Sequence, residues 1–188
     1  MSHVFEPDVL REISREAAGL EFDPMTRTLI AGLRARYGDH IAPEDPLKWV
    51  WSLAGGITGL MTVLHASLSE YLLLFGSPVG TEGFSGRYRI DIYDYVLAGE
   101  MWTYRERAPG ARIVSRPGDD TLLAPGHVKG VRLQPETWLL EYGRGAIPTC
   151  LPMALGDSVF SALDGTTILR TVKVYGAMTL RSLLRGKL

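Results

Sequence analysis

The sequence has 188 residues, 46% of them hydrophobic and 22% charged, which is typical of one compact domain with a sizeable core. Its formal net charge of −1 excludes the global basic field that drives non-specific nucleic-acid binding, so we expect no nucleic-acid partner. A single cysteine, Cys150, excludes an internal disulfide, and the four histidines stand far apart, so we predict neither a metal site nor a cofactor. We therefore expect one domain over residues 1–188.

Two helices are predicted at the start of the chain. Apolar residues recur at helical spacing from Asp8 to about Leu20, and again from about Pro24 to Tyr37. The mostly apolar stretch that follows, residues 41–76, is interrupted by the pair Gly55 and Gly56, which indicates a kink or a close backbone approach. We assign all of this to a helical N-terminal part of about residues 1–78.

An alternating pattern predicts a strand over residues 87–99. Its apolar face, which includes Ile92 and Val96, also carries Asp94, an acid that should point at a core. Short strands separated by turns rich in proline and glycine continue to about residue 142. This turn spacing is typical of an antiparallel sandwich or barrel, which we place at residues 84–148.

A second inward acid lies in the segment TWLLEYGRGAIP, residues 137–148. As a strand, this segment puts Leu139 and Glu141 on one face and Trp138 and Tyr142 on the other, so neither face is a normal solvated surface. Burying an ionised carboxylate without a partner costs roughly several kcal/mol. The sequence therefore predicts that Glu141 has a partner.

Two kinds of partner are compatible with the residues. If Glu141 and Asp94 share an apolar cavity, like-charge repulsion makes one of them hold a proton near neutral pH, which places an acid beside a base. The other possibility is structural, because buried acids commonly bond to backbone amides or to an arginine such as Arg144 or Arg87.

Residues 149–188 are predicted to form C-terminal helices, one of them basic and amphipathic. On that helix Arg170, Lys173, Arg181 and Arg185 share one arc. The opposite arc is apolar and consists of Ile168, Val172, Tyr175, Leu180 and Leu183. Such a helix can lie in an anionic membrane interface, or it can pack its apolar side on the barrel and leave its basic side in solvent.

Five segments together resemble the family of fungal C-8 sterol isomerases and the sigma-1 receptor. They keep their order and approximate spacing over nearly the whole chain: AGG at 54–56, LHASLSEYLLLFG at 64–76, GTEGFSGRY at 80–88, EYGRGAIP at 141–148 and SALDGTTILRTV at 161–172. The resemblance implies an α+β fold, in which a cupin-like antiparallel β-barrel carries N-terminal helices and two C-terminal amphipathic helices that face a membrane. It also implies a homotrimer.

The resemblance implies a site as well. The acids that match Glu141 and Asp94 are associated with sterol Δ8 to Δ7 isomerisation in the enzymes and with amine capture in the receptor, so they are the expected catalytic pair. Tyr71 is expected to hydrogen-bond Glu141. The other expected ligand-binding residues are Met61, Leu73, Phe75, Ile92, Leu133, Leu151, Ala154 and Tyr175.

The sequence departs from the family at three positions. Phe84 stands where the receptor and the fungal enzymes have a histidine, so proton transfer or trimer packing in this protein can differ from that in the family. Ile57 and Leu133 stand where the receptor has tryptophan, which implies a different cavity shape.

Two functions from different classes follow from the resemblance. The first is an isomerase that moves a double bond by proton transfer through Asp94 and Glu141. The alternative is a non-catalytic, sigma-receptor-like binder of hydrophobic amines or sterols that uses the same acids as counter-ions. A scaffold at the membrane surface with an inert acid pair is a third. Family members reside in the endoplasmic reticulum membrane; this sequence has no run of about 18 uncharged apolar residues, so we expect peripheral attachment.

Overall fold

The computed structural model describes residues 3–42 and 47–186. Helix α1 spans Pro7–Ala17 and α2 spans Phe22–Tyr37, close to the two predicted helices, and a 3-10 turn at Gly38–His40 follows. Pro7 suits the first turn of α1, because a backbone N–H there would have no acceptor within the helix and proline has no N–H. Arg15, in the last turn of α1, complements the helix dipole.

The prediction of a helical N-terminal part up to residue 78 is wrong for residues 50–77. Residues 50–77 form three strands: β1, Val50–Ala54; β2, Ile57–Ala66; and β3, Glu70–Ser77. Gly55 and Gly56, with φ of 63° and 81°, form the tight turn that joins β1 to β2. A side chain at Gly55 would also clash, because a Cβ there would lie 2.0 Å from the carbonyl oxygen of Phe84.

The strands form two antiparallel sheets. The larger sheet has the order β1-β2-β3-β10-β5-β8 and the smaller has the order β4-β9-β6-β7. The remaining strands are β4, Thr81–Phe84; β5, Ile90–Ala98; β6, Met101–Arg105; β7, Ala108–Ser115; β8, Asp120–Leu123; β9, Gly130–Leu133; and β10, Thr137–Gly145. The predicted α+β class, with antiparallel sheets between helices at both ends, is confirmed, although the sheets begin at Val50 rather than near residue 84.

The larger sheet is buried on both faces. One face packs on α1 and α2 through residues such as Leu72, Leu74 and Tyr142. The other face turns Leu73 and Phe75 toward the smaller sheet. Because side chains alternate along a strand, β3 is apolar on both sides, and its sequence shows an unbroken hydrophobic run instead of alternation.

Glu70, at the start of β3, ties the N-terminal segment to the larger sheet. Its fully buried carboxylate accepts a hydrogen bond from the Val4 backbone N–H at 2.8 Å and another from the Tyr142 hydroxyl at 2.9 Å. These donors compensate for the burial of the charge.

A 3-10 turn at Ile147–Cys150 leads into α3, Leu151–Phe160, and α4, Gly165–Leu184, which agree with the predicted C-terminal helices; Lys187 and Leu188 lie outside the described residues. Asp164 caps α4 by accepting hydrogen bonds from the N–H groups of Thr166 and Thr167, both at 3.0 Å.

The apolar arc of α4 packs on the barrel only in part. Tyr175 packs against the apolar residues between the sheets, whereas Val172, Leu180 and Leu183 are exposed. Thr167 and Ser182 are buried as well, and Ser182 donates a hydrogen bond to the Ala66 carbonyl. The helix thus docks through Tyr175 and a few polar residues and leaves part of its apolar surface exposed. Among the described residues, no helix is both long enough and apolar enough to cross a bilayer.

Candidate functional site

The two inward acids lie side by side on neighbouring strands. Glu141 on β10 is the register partner of Asp94 on β5, in the middle of the larger sheet. Strand alternation directs both toward the smaller sheet, together with Ile92, Val96 and Leu139. The structure therefore brings together the two acids that the sequence singled out.

A cavity of about 200 Å³ lies between the two sheets and is bordered by α3 and α4. Its wall is mainly apolar and contains Asp94, Glu141 and Tyr71. It also contains every other residue expected to bind ligand: Met61, Leu73, Phe75, Ile92, Leu133, Leu151, Ala154 and Tyr175. Phe84, Trp51 and Leu151 are exposed as well as cavity-lining, so they lie at its rim.

Glu141 is the carboxyl group at which the cavity can bind or release a proton near neutral pH. The Tyr71 hydroxyl donates a 2.6 Å hydrogen bond to Glu141 Oε1. Burial, and then the nearby charge of Asp94, raise the pKa of Glu141 to about 7, while the Tyr71 hydrogen bond and the charge of Lys129 act in the opposite direction. Burial and the neighbouring Glu141 raise the pKa of Tyr71 well above its usual range, so Tyr71 stays a neutral donor.

Asp94 has a different environment. Lys129 Nζ lies 2.5 Å from Asp94 Oδ2, and both side chains are nearly inaccessible, at 7% and 6% exposure. Thr121 Oγ1 also donates a hydrogen bond to this oxygen, at 3.1 Å. The predicted pair of acids is therefore part of a cluster with a third, positive charge.

The arginines considered as partners lie elsewhere. Arg144 pairs with Asp91 at 3.2 Å and lies over the ring of Tyr93, on the opposite side of the sheet from the cavity. Arg87 donates a hydrogen bond to the Gly126 carbonyl and lies near Glu106. The compensating cation of Asp94 is thus a lysine.

Lys129 was not predicted from the sequence as a site residue, although the alternation of β9 indicates its position. It directly precedes β9, in which Val131 and Leu133 face the cavity. Extending the same alternation backward by two residues places Lys129 on the same face. A lysine in phase with cavity-lining residues indicates an inward cation.

Metal-ligating residues do not cluster here. Within residues 3–42 and 47–186, no group of three or more histidine, cysteine, aspartate or glutamate side chains could hold a metal ion. Cys150 lines the cavity with a thiol whose pKa is raised to about 11, chiefly by burial, so it is uncharged at neutral pH.

Comparison with known proteins gives a consistent family match. Residues 1–187 match the family described as ERG2 and Sigma1 receptor like protein. The chain is 41% identical over 175 residues to the sigma non-opioid intracellular receptor 1 of Xenopus tropicalis, covering 93% of this chain and 79% of that protein. The Gallus gallus receptor of the same name is 39% identical over 171 residues, covering 91% and 77%. A solved RmlC-like cupin from Shewanella frigidimarina is 19% identical with a TM-score of 0.45, covering 57% of this chain and 91% of that one.

Proposed function

The chain belongs to the family of ERG2 and sigma-1 receptor-like proteins, and we propose that it binds a hydrophobic amine or a sterol in the cavity between its sheets. Its similar relatives carry the name of a receptor, which favours binding over catalysis. In this proposal Glu141 is the polar group that meets the ligand, and the apolar wall accommodates the rest of it.

The observation that carries the proposal is the Glu141 carboxyl group, held by a neutral donor in the wall of a mainly apolar cavity. Glu141 accepts from the Tyr71 hydroxyl at 2.6 Å, and the wall around it includes Leu73, Phe75 and Ile92. An ionised carboxylate in a low-dielectric site attracts an ammonium ion far more strongly than it would in water. A cavity of this type, with few polar groups on an apolar wall, is typical of small-molecule sites.

An isomerase is the second candidate, and the proton affinity of Glu141 favours it. With a pKa of about 7, Glu141 is present in both protonated and ionised forms at neutral pH, as acid–base catalysis requires. The protonated carboxyl would donate its proton to one carbon of a Δ8 sterol alkene. A neighbouring carbon would then return a proton to the carboxylate, which leaves the double bond at Δ7. The ion pair of Asp94 with Lys129 would face the transient carbocation as a dipole.

We also propose that α3 and α4 rest on a membrane surface. Exposed apolar residues lie along these helices and their connection, and Phe160 and Leu184 are 86% and 81% exposed. Contiguous exposed apolar surface of this kind is typical of interaction sites, including membrane interfaces. A location at the endoplasmic reticulum and a homotrimeric assembly are further proposals, supported by the family alone.

Binding of N,N-dimethyl-4-phenylbutylamine tests the main proposal. Calorimetry on the detergent-solubilised protein at pH 8 should show saturable binding, which Glu141→Gln should abolish because the neutral amide offers no counter-charge. Glu106→Gln is the matched control, since Glu106 is exposed in the turn between β6 and β7. Equal affinity in Glu141→Gln would refute Glu141 as the counter-ion.

Incubation with a Δ8 sterol separates the two candidates. Chromatography with mass detection should reveal Δ7 product if the protein is an isomerase, and Glu141→Gln should then yield none. If the protein binds the amine but forms no Δ7 product, ligand binding without catalysis is the function of the cavity.

A further inference from the structure

We propose that Lys129 is a built-in ammonium ion that occupies the Asp94 carboxylate and leaves Glu141 as the carboxyl group that the cavity offers to a ligand. The inference rests on the proposed function of the cavity as a ligand site. It deepens that function, because it limits the ligand to one positive charge or none.

The position of Lys129 supports this assignment. Its ammonium is held between Asp94 Oδ2 at 2.5 Å and Thr121 Oγ1 at 3.4 Å. Its backbone is fixed as well, because its N–H donates to Ser85 Oγ and its carbonyl accepts from the Ser85 N–H, both at 3.0 Å. The lysine is therefore held at both ends, and a ligand ammonium cannot reach the same oxygen of Asp94 without displacing it.

The charges of the cavity follow from these contacts. Asp94 and Lys129 carry opposite charges at hydrogen-bond distance and cancel to a first approximation. The remaining charge is that of Glu141, so the cavity has a net charge of −1 or 0. It suits a monoamine when Glu141 is ionised and a neutral hydroxylated amphiphile when Glu141 is protonated. A diamine would bring one ammonium more than the cavity can compensate.

The other groups near Glu141 stay uncharged in the physiological range. Three tyrosine hydroxyls interact electrostatically with Glu141, and burial raises the pKa of each. They belong to Tyr71 on β3, Tyr88 ahead of β5 and Tyr175 on α4. Cys150 has a pKa of about 11. With Asp94 and Lys129 contributing opposite charges, Glu141 decides how the cavity charge changes between pH 6 and pH 8.

This assignment makes a quantitative prediction for the unmodified protein. N,N-Dimethyl-4-phenylbutylamine keeps its ammonium charged between pH 6 and pH 8, since alkylammonium groups lose their proton near pH 10. Because the ionised fraction of a group with a pKa of about 7 falls steeply over this interval, amine affinity should be about tenfold lower at pH 6 than at pH 8.

Lys129→Met tests the proposal. Removing the ammonium leaves Asp94 facing Glu141, and two carboxyls in one dry cavity hold a single proton over a wide pH range. The pair then keeps one negative charge, so amine affinity at pH 6 and pH 8 should agree within about twofold. Arg107→Met, in the exposed turn between β6 and β7, controls for the loss of a positive charge.

A second variant keeps the test decisive if Lys129→Met does not fold. In the double variant Asp94→Asn with Lys129→Met, both ions of the buried pair are removed together, which proteins commonly tolerate. Glu141 is again the remaining acid, so the roughly tenfold loss of amine affinity toward pH 6 should return.

The outcomes separate this inference from the function on which it rests. If no form binds the amine at either pH, the proposed function fails. If the unmodified protein binds and Lys129→Met shows the same affinity and the same pH dependence, the function stands and the role of Lys129 is refuted. Loss of binding in the double variant at pH 8 would also refute it, because Asp94 would then be the required counter-ion.

Discussion

Replacing Glu141 with glutamine should stabilise the protein at alkaline pH while it removes ligand binding. Burial raises the pKa of Glu141 from 4.5 to about 7 in the folded protein, whereas the unfolded chain retains the ordinary value. Between these two pH values the folded state binds more protons than the unfolded state, so the free energy of unfolding falls as pH rises. Glutamine has no proton to lose and escapes this penalty.

The size of the effect follows from the two pKa values. Each unit of difference between the folded and unfolded pKa corresponds to about 1.4 kcal/mol, so the unmodified protein should lose up to about 3 kcal/mol between pH 4.5 and pH 8. This is an upper limit, because Glu141 is partly open to the cavity and water inside would lessen the cost of its charge.

Chemical denaturation followed by circular dichroism measures this difference. At pH 8 Glu141→Gln should unfold at a higher denaturant concentration than the unmodified protein, and the two should converge toward pH 4.5. Glu106→Gln, which changes an exposed acid, should follow the unmodified protein at both pH values. A Glu141→Gln variant that is less stable at pH 8 would show that the carboxylate is well compensated, and would refute the argument from burial.

Three further perturbations test other contacts. Tyr71→Phe removes a hydrogen bond that lowers the pKa of Glu141, so the pH at which amine binding reaches half its maximum should rise. The rise should be about one pH unit if that bond contributes about 1.5 kcal/mol. An unchanged midpoint would contradict this. Glu70→Gln should lower the free energy of unfolding by about 2 kcal/mol and speed amide hydrogen exchange in the N-terminal segment, as read by mass spectrometry; protection equal to that of the unmodified protein would count against the anchor. Leu169→Ser combined with Leu180→Ser should weaken flotation with anionic vesicles several-fold, because both side chains are exposed apolar surface on α4; undiminished flotation would remove α4 from the proposed membrane contact.

The inward acids could be located from sequence because strand periodicity is strict. Asp94 and Glu141 each interrupt an apolar face of a strand, and a period of two leaves no other direction for them. Their mutual register, in contrast, depends on how β5 and β10 pair, which involves residues far apart in the chain. The resemblance to a family supplied that pairing.

The strands between Val50 and Ser77 could not be told from helices by pattern. Both faces of β3 are buried, so residues 70–77 read as a continuous apolar run, which a buried helix would also show. The pair Gly55 and Gly56 was the sequence feature that indicated strands here, since two successive residues with positive φ favour a hairpin turn.

Helix α4 shows a second limit of sequence patterns. The periodicity correctly separates a basic arc from an apolar arc, but it does not say which arc meets the protein. In the structure Arg181 and Arg185 both donate to the Asp39 carbonyl, while Leu180 and Leu183 stay exposed. Charge reversal of these two arginines would therefore disturb helix docking as well as any contact with anionic lipid.

The protonation state of Glu141 in the presence of an amine tests the central claim most directly. Carbon-13 NMR of protein labelled at the glutamate carboxyl carbons, with Glu141→Gln to assign the signal, would follow it at pH 6. We expect the signal of a mainly protonated carboxyl, which moves to the ionised position when N,N-dimethyl-4-phenylbutylamine saturates the cavity, because the bound ammonium stabilises the carboxylate. A saturated complex in which the Glu141 signal does not move would contradict the assignment of Glu141 as the counter-ion.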